Sequence, residues 1–286
     1  MKQDCTLLLS TYDGGADIWE GFFPCLAAQW PELDLPIVMN TESKSYAFPG
    51  MEIRTLGLYP DGGKRVPWAK RLREHLKRID TEFILLFLED FWLEGPVDDA
   101  FFRQCLQWMR ENPDVANLSF QPTPGPNIRD GRFARFERRP QDGAYRFNCQ
   151  AALWRRERLI QFLRAHESPW EWEVTGSIRS QRYQDGFYSL TEGEKPVFPY
   201  NLDLGGVIHR GKWNREAVVP LAEHYGLSID YSRRGFEDWE KYAARDLADQ
   251  QSAVSETLWT KLTKPHLLRR LRKSAGIRWR RLRSLI

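Results

Sequence analysis

The sequence predicts an α/β protein built on a doubly wound, mostly parallel sheet, and three stretches carry that prediction. The run Phe83-Ile84-Leu85-Leu86-Phe87-Leu88 is apolar on both faces and too short for a buried helix, which suits a central strand covered on both sides. It runs straight into Glu89-Asp90, and carboxylates belong where a strand leaves the sheet rather than inside it. Residues 6–13, 17–29 and 35–41 read as strand, helix and strand with short links, the opening of a parallel, right-handed sheet.

Each element has its own signal. The first strand ends in small polar residues, and Asp13-Gly14-Gly15 makes a turn. Ile18, Phe22, Cys25 and Leu26 then recur at helical spacing until Trp30-Pro31 closes the helix. The loop Ser10-Thr11-Tyr12-Asp13-Gly14 lacks the GxGxxG spacing, which disfavours a dinucleotide fold. Residues 42–64 read as loop, with a short edge strand over 53–56. Pro67-Trp68 opens a helix through Ile79, proline being tolerated in a first turn, with Leu72, Leu76 and Ile79 along one face. A helix over 98–111 and a strand over 116–120 follow. Residues 121–144, rich in Pro, Gly and Arg, read as a loop over a site. A strand over 145–154 and a helix over 155–165 come next.

Composition narrows the function classes. The chain has 286 residues, 42% of them hydrophobic, enough for one large domain or one domain with an appendage. Its twelve tryptophans exceed what such a core needs, and surplus Trp suits sites for sugars or flat rings. Cys5, Cys25, Cys105 and Cys149 form no CxxC or finger pattern, so free thiols in a reducing cytoplasm are expected. No signal peptide is read, and no apolar run approaches the ~20 residues that span a bilayer. A soluble or peripheral protein is therefore expected. The net charge of +3 conceals an asymmetry: residues 261–286 hold ten Lys/Arg and no Asp/Glu, leaving 42 − 10 = 32 basic against 39 acidic residues, a net −7, in 1–260. The expected organisation is one domain over 1–260 and a basic tail over 261–286.

Three places carry chemistry. Open α/β sheets bind ligands outside the carboxyl ends of their strands, where Glu89 and Asp90 should sit. Two carboxylates there suit a hard divalent cation, Mn²⁺ or Mg²⁺, which brings a substrate's phosphates with it; an exposed acidic turn is the plainer reading. In Ser168-Pro169-Trp170-Glu171-Trp172-Glu173, carboxylates alternate with bulky rings, so the two tryptophans should pack on one side and leave Glu171 and Glu173 on the other. A carboxyl with a raised pKa there would serve as a general base. The same residues also spell a capping box, Ser168 with Glu171, and both readings stay open. Finally, Gly205-Gly206-Val207-Ile208-His209-Arg210-Gly211-Lys212 pairs flexible glycines with a candidate metal ligand, His209, and two cations, Arg210 and Lys212, that could hold a diphosphate. A simple turn with a structural histidine is the alternative.

In this order of motifs the sequence resembles the nucleotide-sugar glycosyltransferases of the GT-A fold, of the bacterial surface-polysaccharide type. Leu88-Glu89-Asp90-Phe91 stands where that family carries its DxD motif. Gln150-Ala151-Ala152-Leu153-Trp154 follows as a later strand, Trp170-Glu171-Trp172-Glu173 falls where inverting members keep a catalytic base, and His209 where many supply a last metal ligand. The resemblance covers roughly residues 4–215 and is one of architecture and motif order. Glu-Asp replaces Asp-x-Asp, and Glu-Trp-Glu replaces Glu-Asp.

The resemblance implies a GT-A-like domain and a hexosyltransferase-like enzyme of EC class 2.4. It would transfer sugar from a nucleotide-sugar donor to a glycan or lipid-linked acceptor, in cell-surface polysaccharide synthesis. It implies a divalent cation on Asp90 and His209, and donor or diphosphate contacts from Tyr12, Asp13, Trp68, Glu89, Arg210 and Lys212. Glu171 or Glu173 would deprotonate the acceptor. The alternative is a non-catalytic nucleotide- or carbohydrate-binding module on the same fold. The tail interleaves its cations with Leu262, Leu267, Leu268, Leu271, Ile277, Trp279, Leu282 and Leu285, the pattern of an interfacial helix, interrupted at Gly276. An anionic membrane surface is thus an expected partner, with the protein cytoplasmic and peripherally bound to the inner face. Nucleic acid is not expected, because no base-reading motif accompanies the charge.

Overall fold

The computed structural model describes residues 4–61, 66–123, 126–143, 145–201 and 205–238. The first of two compact units ends at Phe236. The expected boundary at 260 and the basic tail 261–286 lie outside the described residues, as does the helical form expected of that tail.

Eight strands make one sheet: β1 (Cys5–Ser10), β2 (Ile37–Met39), β3 (Ile53–Thr55), β4 (Phe83–Leu88), β5 (Val115–Ser119), β6 (Phe136–Arg138), β7 (Ala152–Arg155) and β8 (Gly186–Leu190). Their order is β3-β2-β1-β4-β7-β5-β8-β6. Six strands point the same way; β7, between β4 and β5, and β6, at the edge, run against them. The sheet is mostly parallel, as expected from its short apolar runs, with the buried β7 as the exception inside it.

Helices cover both faces. Phe83, Leu85 and Phe87 of β4 join one core with Trp19, Phe22 and Cys25 of α1 (Ala16–Gln29) and Phe102 and Cys105 of α3 (Asp99–Glu111). Ile84 and Leu86 join the other, with Leu72 and Leu76 of α2 (Trp68–Leu76) and Leu159 of α4 (Arg156–Phe162). Successive side chains of a strand point to opposite faces, so a six-residue apolar run feeds both cores.

The topology places a crevice. From β1 the chain moves through β2 and β3 on one side, then returns to β4 on the other side of β1. Loops leaving the carboxyl ends of β1 and β4 therefore diverge, and the gap between them is where open α/β sheets take ligands.

Two stretches differ from expectation. The strand expected over 145–154 starts only at Ala152, because Tyr145 has a positive φ of 49° and the Arg146 guanidinium is buried, donating to the carbonyls of Ser180 and Asp185 at 2.6 and 2.9 Å. The segment 121–144 carries β6 at the far edge of the sheet, and none of its described residues lines the crevice.

Candidate active-site cleft

A cleft of about 460 Å³ opens at the carboxyl ends of β1 and β4. Its floor is a set of crossed loops. The Thr11 amide donates to Asn40 Oδ1 at 2.6 Å, tying the end of β1 to the end of β2. Asp13 and Glu42 exchange amides: the Glu42 N–H donates to Asp13 Oδ1 at 2.9 Å, and the Asp13 N–H to Glu42 Oε2 at 2.6 Å. The Ser43 hydroxyl also donates to Asp13 at 2.6 Å. Burial works against the charge on Asp13, but the Ser43 hydroxyl and the amides of residues 42 to 44 outweigh it and hold the carboxyl below its usual range. Arg71, buried on α2, forms an ion pair with Glu42 and donates to the Thr11 carbonyl at 3.0 Å. Burial nonetheless raises the Glu42 pKa. A guanidinium suits this position because its fork serves two acceptors at once.

Glu89 and Asp90 follow β4 directly into the cleft. Glu89 is buried and abuts the start of α1, since a Cβ on Gly15 would stand 3.1 Å from its Oε1. Burial raises its pKa, and the charge of Asp90 raises it further; burial also raises Asp90. The cations whose field reaches Glu89 are engaged elsewhere, Arg71 with Glu42 and Arg234 bidentately with Asp17 at 2.6 and 2.7 Å. Among the described residues neither carboxylate has an ion-pair partner. Arg71 and Arg234 ease the charge on Glu89 only from a distance, so two adjacent carboxylates are held together at the mouth of a cleft without an ion pair among the described residues.

The opposite wall is a short hairpin, β9 (Ile208–His209) and β10 (Lys212–Trp213). Its two linking residues, Arg210 and Gly211, have φ of 50° and 83°, the backbone that two-residue hairpins favour. Gly206 lets this segment lie on the acid pair: its φ is +82°, a Cβ there would be 2.7 Å from the Asp90 carbonyl, and the Val207 amide donates to that same carbonyl at 2.9 Å. Arg210 thereby lines the cleft. Rings complete it: Tyr12, Trp68, whose Nε1 donates to Ser10 Oγ at 2.9 Å, and the exposed Trp170.

No family model matches the chain, and no curated protein matches it in sequence. Solved structures do match in layout. A fragment of S. aureus TarS covers 81% of this chain and 68% of its own, at TM-score 0.45 and 10% identity. The galactosyltransferase LgtC, crystallised with donor and acceptor sugar analogues, covers 82% of this chain and 99% of its own, at TM-score 0.44 and 14% identity. A Pyrobaculum calidifontis mannosyltransferase, crystallised with GDP-Man and Mn²⁺, covers 73% and 58%, at TM-score 0.45 and 15% identity. In layout the chain resembles these glycosyltransferases.

Of the residues singled out in the sequence, Tyr12, Trp68, Glu89, Asp90 and Arg210 line one cleft. Asp13 lies beneath it, in the loop network. His209 and Lys212 are paired across the hairpin and neither lines the cleft, whereas Ile208 beside His209 does. Glu171 and Glu173 do not line it. The alternation expected there gives way to helix: α5 (Pro169–Glu171), a π-helical turn (Trp172–Gly176) and α6 (Ser177–Ser180). Ser168 and Glu171 form the reciprocal capping box, which starts the helix, buries Trp172 and leaves Trp170 outside. Glu173 is half-buried, accepts from the Cys149 amide at 2.8 Å, and has a pKa raised by burial. Arg71 and Arg234 were not singled out. An Arg-rich helix following Pro67-Trp68 was the available signal for the first, and the second had none.

An acid pair without a counter-charge opposes folding. Both carboxyls hold a proton more tightly in the folded chain than in the unfolded one, so their effect on stability worsens as pH rises through neutrality. Asp90→Asn should therefore stabilise the fold in the presence of chelator, by about 1–2 kcal/mol at pH 8 and by less at pH 5, with the thermal midpoint rising accordingly. Differential scanning calorimetry at the two pH values checks the sign. A midpoint that falls at pH 8 would mean that Asp90 has a stabilising partner.

Proposed function

We propose that this chain is a glycosyltransferase that binds a nucleotide-sugar donor in the cleft and transfers a hexosyl unit to a glycan or lipid-linked acceptor in surface-polysaccharide synthesis. The observation that carries the reading is the pair Glu89–Asp90 at the topological switch point, in no ion pair among the described residues and faced across the cleft by arginines and aromatic rings. An acidic pair repels a phosphate unless a cation stands between them. Among the described residues no three His, Cys, Asp or Glu side chains cluster. The residues present fit Mg²⁺ or Mn²⁺, which commonly take one or two carboxylates and share the rest of their shell with water and substrate phosphates. Asp90 and Glu89 would hold the cation, which supplies charge stabilisation to a diphosphate leaving group.

The chain's own residues do the remaining work. Arg210 at the hairpin tip reaches the same diphosphate, and Tyr12, Trp68 and Trp170 offer faces to the base and the sugars. Neither of the two carboxylates proposed as general base lines the cleft; we assign the role to Glu173 because it lies close to the Cys149 thiol, whose surroundings Asp90 shares, and burial raises its pKa. Glu171 is engaged as a cap.

Turnover of UDP- and GDP-sugars with Mn²⁺ tests the reading. Glu173→Gln should lower turnover by about 10²-fold or more with donor affinity retained, whereas Glu171→Gln, which can still cap, should stay near wild type. Donor binding without turnover in the wild type would point to the non-catalytic module, and neither binding nor turnover would sink the proposal.

Among the described residues no helix is long and apolar enough to cross a membrane. The membrane contact is proposed for the basic tail 261–286. Full-length protein should sediment with phosphatidylglycerol vesicles and less so in high salt, while a chain ending at 260 should stay in solution. Equal partitioning of the two would remove the tail from this role.

A further inference from the structure

Six large apolar side chains are exposed among the described residues, and three of them form one stripe. Trp170, Val174 and Ile178 are 75%, 47% and 59% exposed and recur every fourth residue along α5, the π-helical turn and α6. Side chains at that spacing share a helix face. The stripe begins at the cleft, because Pro169 and Trp170 line it. It ends at a second hollow of about 260 Å³, lined by Val174, Ile178, Gly143 and Tyr145. Tyr145 is itself 45% exposed and held at a positive φ of 49°, a conformation that L-residues seldom adopt without cause. The π-helical turn in the middle is likewise of a kind that recurs at functional sites.

We propose that this stripe receives the apolar chain of the acceptor, so that the acceptor is an amphipathic, lipid-linked sugar rather than a free glycan. The inference rests on the glycosyltransferase reading and narrows its acceptor. Width and continuity argue for this occupant. The line from Trp170 to Ile178 is roughly 12 Å long and one side chain wide. That shape suits a single aliphatic chain, whereas a stable protein partner needs about 800 Å² on each side. Only a ligand whose polar end belongs in the cleft would need an apolar path that starts at the cleft's own rim. Trp170 serves both ends, as amphipathic rings do where a polar head meets a chain.

The test uses full-length protein and a dodecyl glucoside that carries a photoreactive diazirine on its alkyl chain, with the labelled peptides mapped by mass spectrometry. Labelling should fall on residues 168–182 and on Tyr145. It should drop by about fivefold or more in Val174→Glu and in Ile178→Glu, both at exposed positions where folding tolerates the charge. Mn²⁺-dependent affinity for UDP- and GDP-sugars should stay unchanged in both variants. Labelling scattered over the surface, or undiminished in the variants, overturns the proposal. So does a wild-type dimer that becomes monomeric in Ile178→Glu, because a second copy would then cover the stripe. If the stripe is labelled as stated while no sugar nucleotide binds the wild type, the chain-binding site stands and the donor reading fails.

Discussion

The repulsion between Glu89 and Asp90 is the constraint around which the carboxyl edge of the sheet is arranged. β4 is buried on both faces over Phe83–Phe87 and cannot shift, so its next two residues are delivered to one point whatever their charge. Folding would be easier with an arginine beside them. Instead the two cations whose field reaches Glu89 are paired with other carboxylates, Arg71 with Glu42 and Arg234 with Asp17. Those pairs commit two guanidinium groups to the surrounding framework, and neither of them forms an ion pair with Glu89 or Asp90. Active sites commonly hold such unrelieved terms at the expense of stability.

The loop network explains how so exposed a cleft keeps its shape. Asp13 and Glu42 exchange backbone amides, Asn40 holds the Thr11 amide, and Arg71 clamps Glu42 to the Thr11 carbonyl. The carboxyl ends of β1 and β2 and the start of α2 are thus tied into one floor, on which Tyr12 and Trp68 are presented. The hairpin wall is set by different means. Gly206 allows the chain to lie on the Asp90 carbonyl, and the Arg210-Gly211 turn projects a guanidinium across the gap.

Much of this was legible in the residues. An apolar run that feeds two cores can only be a covered strand, and the pair of carboxylates after it marks the ligand edge. The βαβ opening placed Tyr12 near that edge, and the resemblance named Trp68 as a donor contact. The antiparallel β7 was not legible as such, because a buried strand reads alike in either direction. Nor was the role of Arg71 or Arg234, since the partners Glu42 and Asp17 lie 29 and 217 positions away along the chain. The stretch 168–173 held two patterns at once. The capping box prevailed over the alternation because it satisfies backbone donors that a helix start leaves open.

The central claim is that the acid pair awaits a divalent cation. Isothermal titration of Mn²⁺ into the full-length protein, alone and with a saturating nucleotide diphosphate, tests it most directly. The account predicts weak binding by the protein alone, tightened at least about tenfold by the diphosphate through coupling of the two ligands, and lost in Asp90→Asn. Mn²⁺ binding of equal strength in Asp90→Asn, or a diphosphate that binds equally well without any divalent cation, would contradict it.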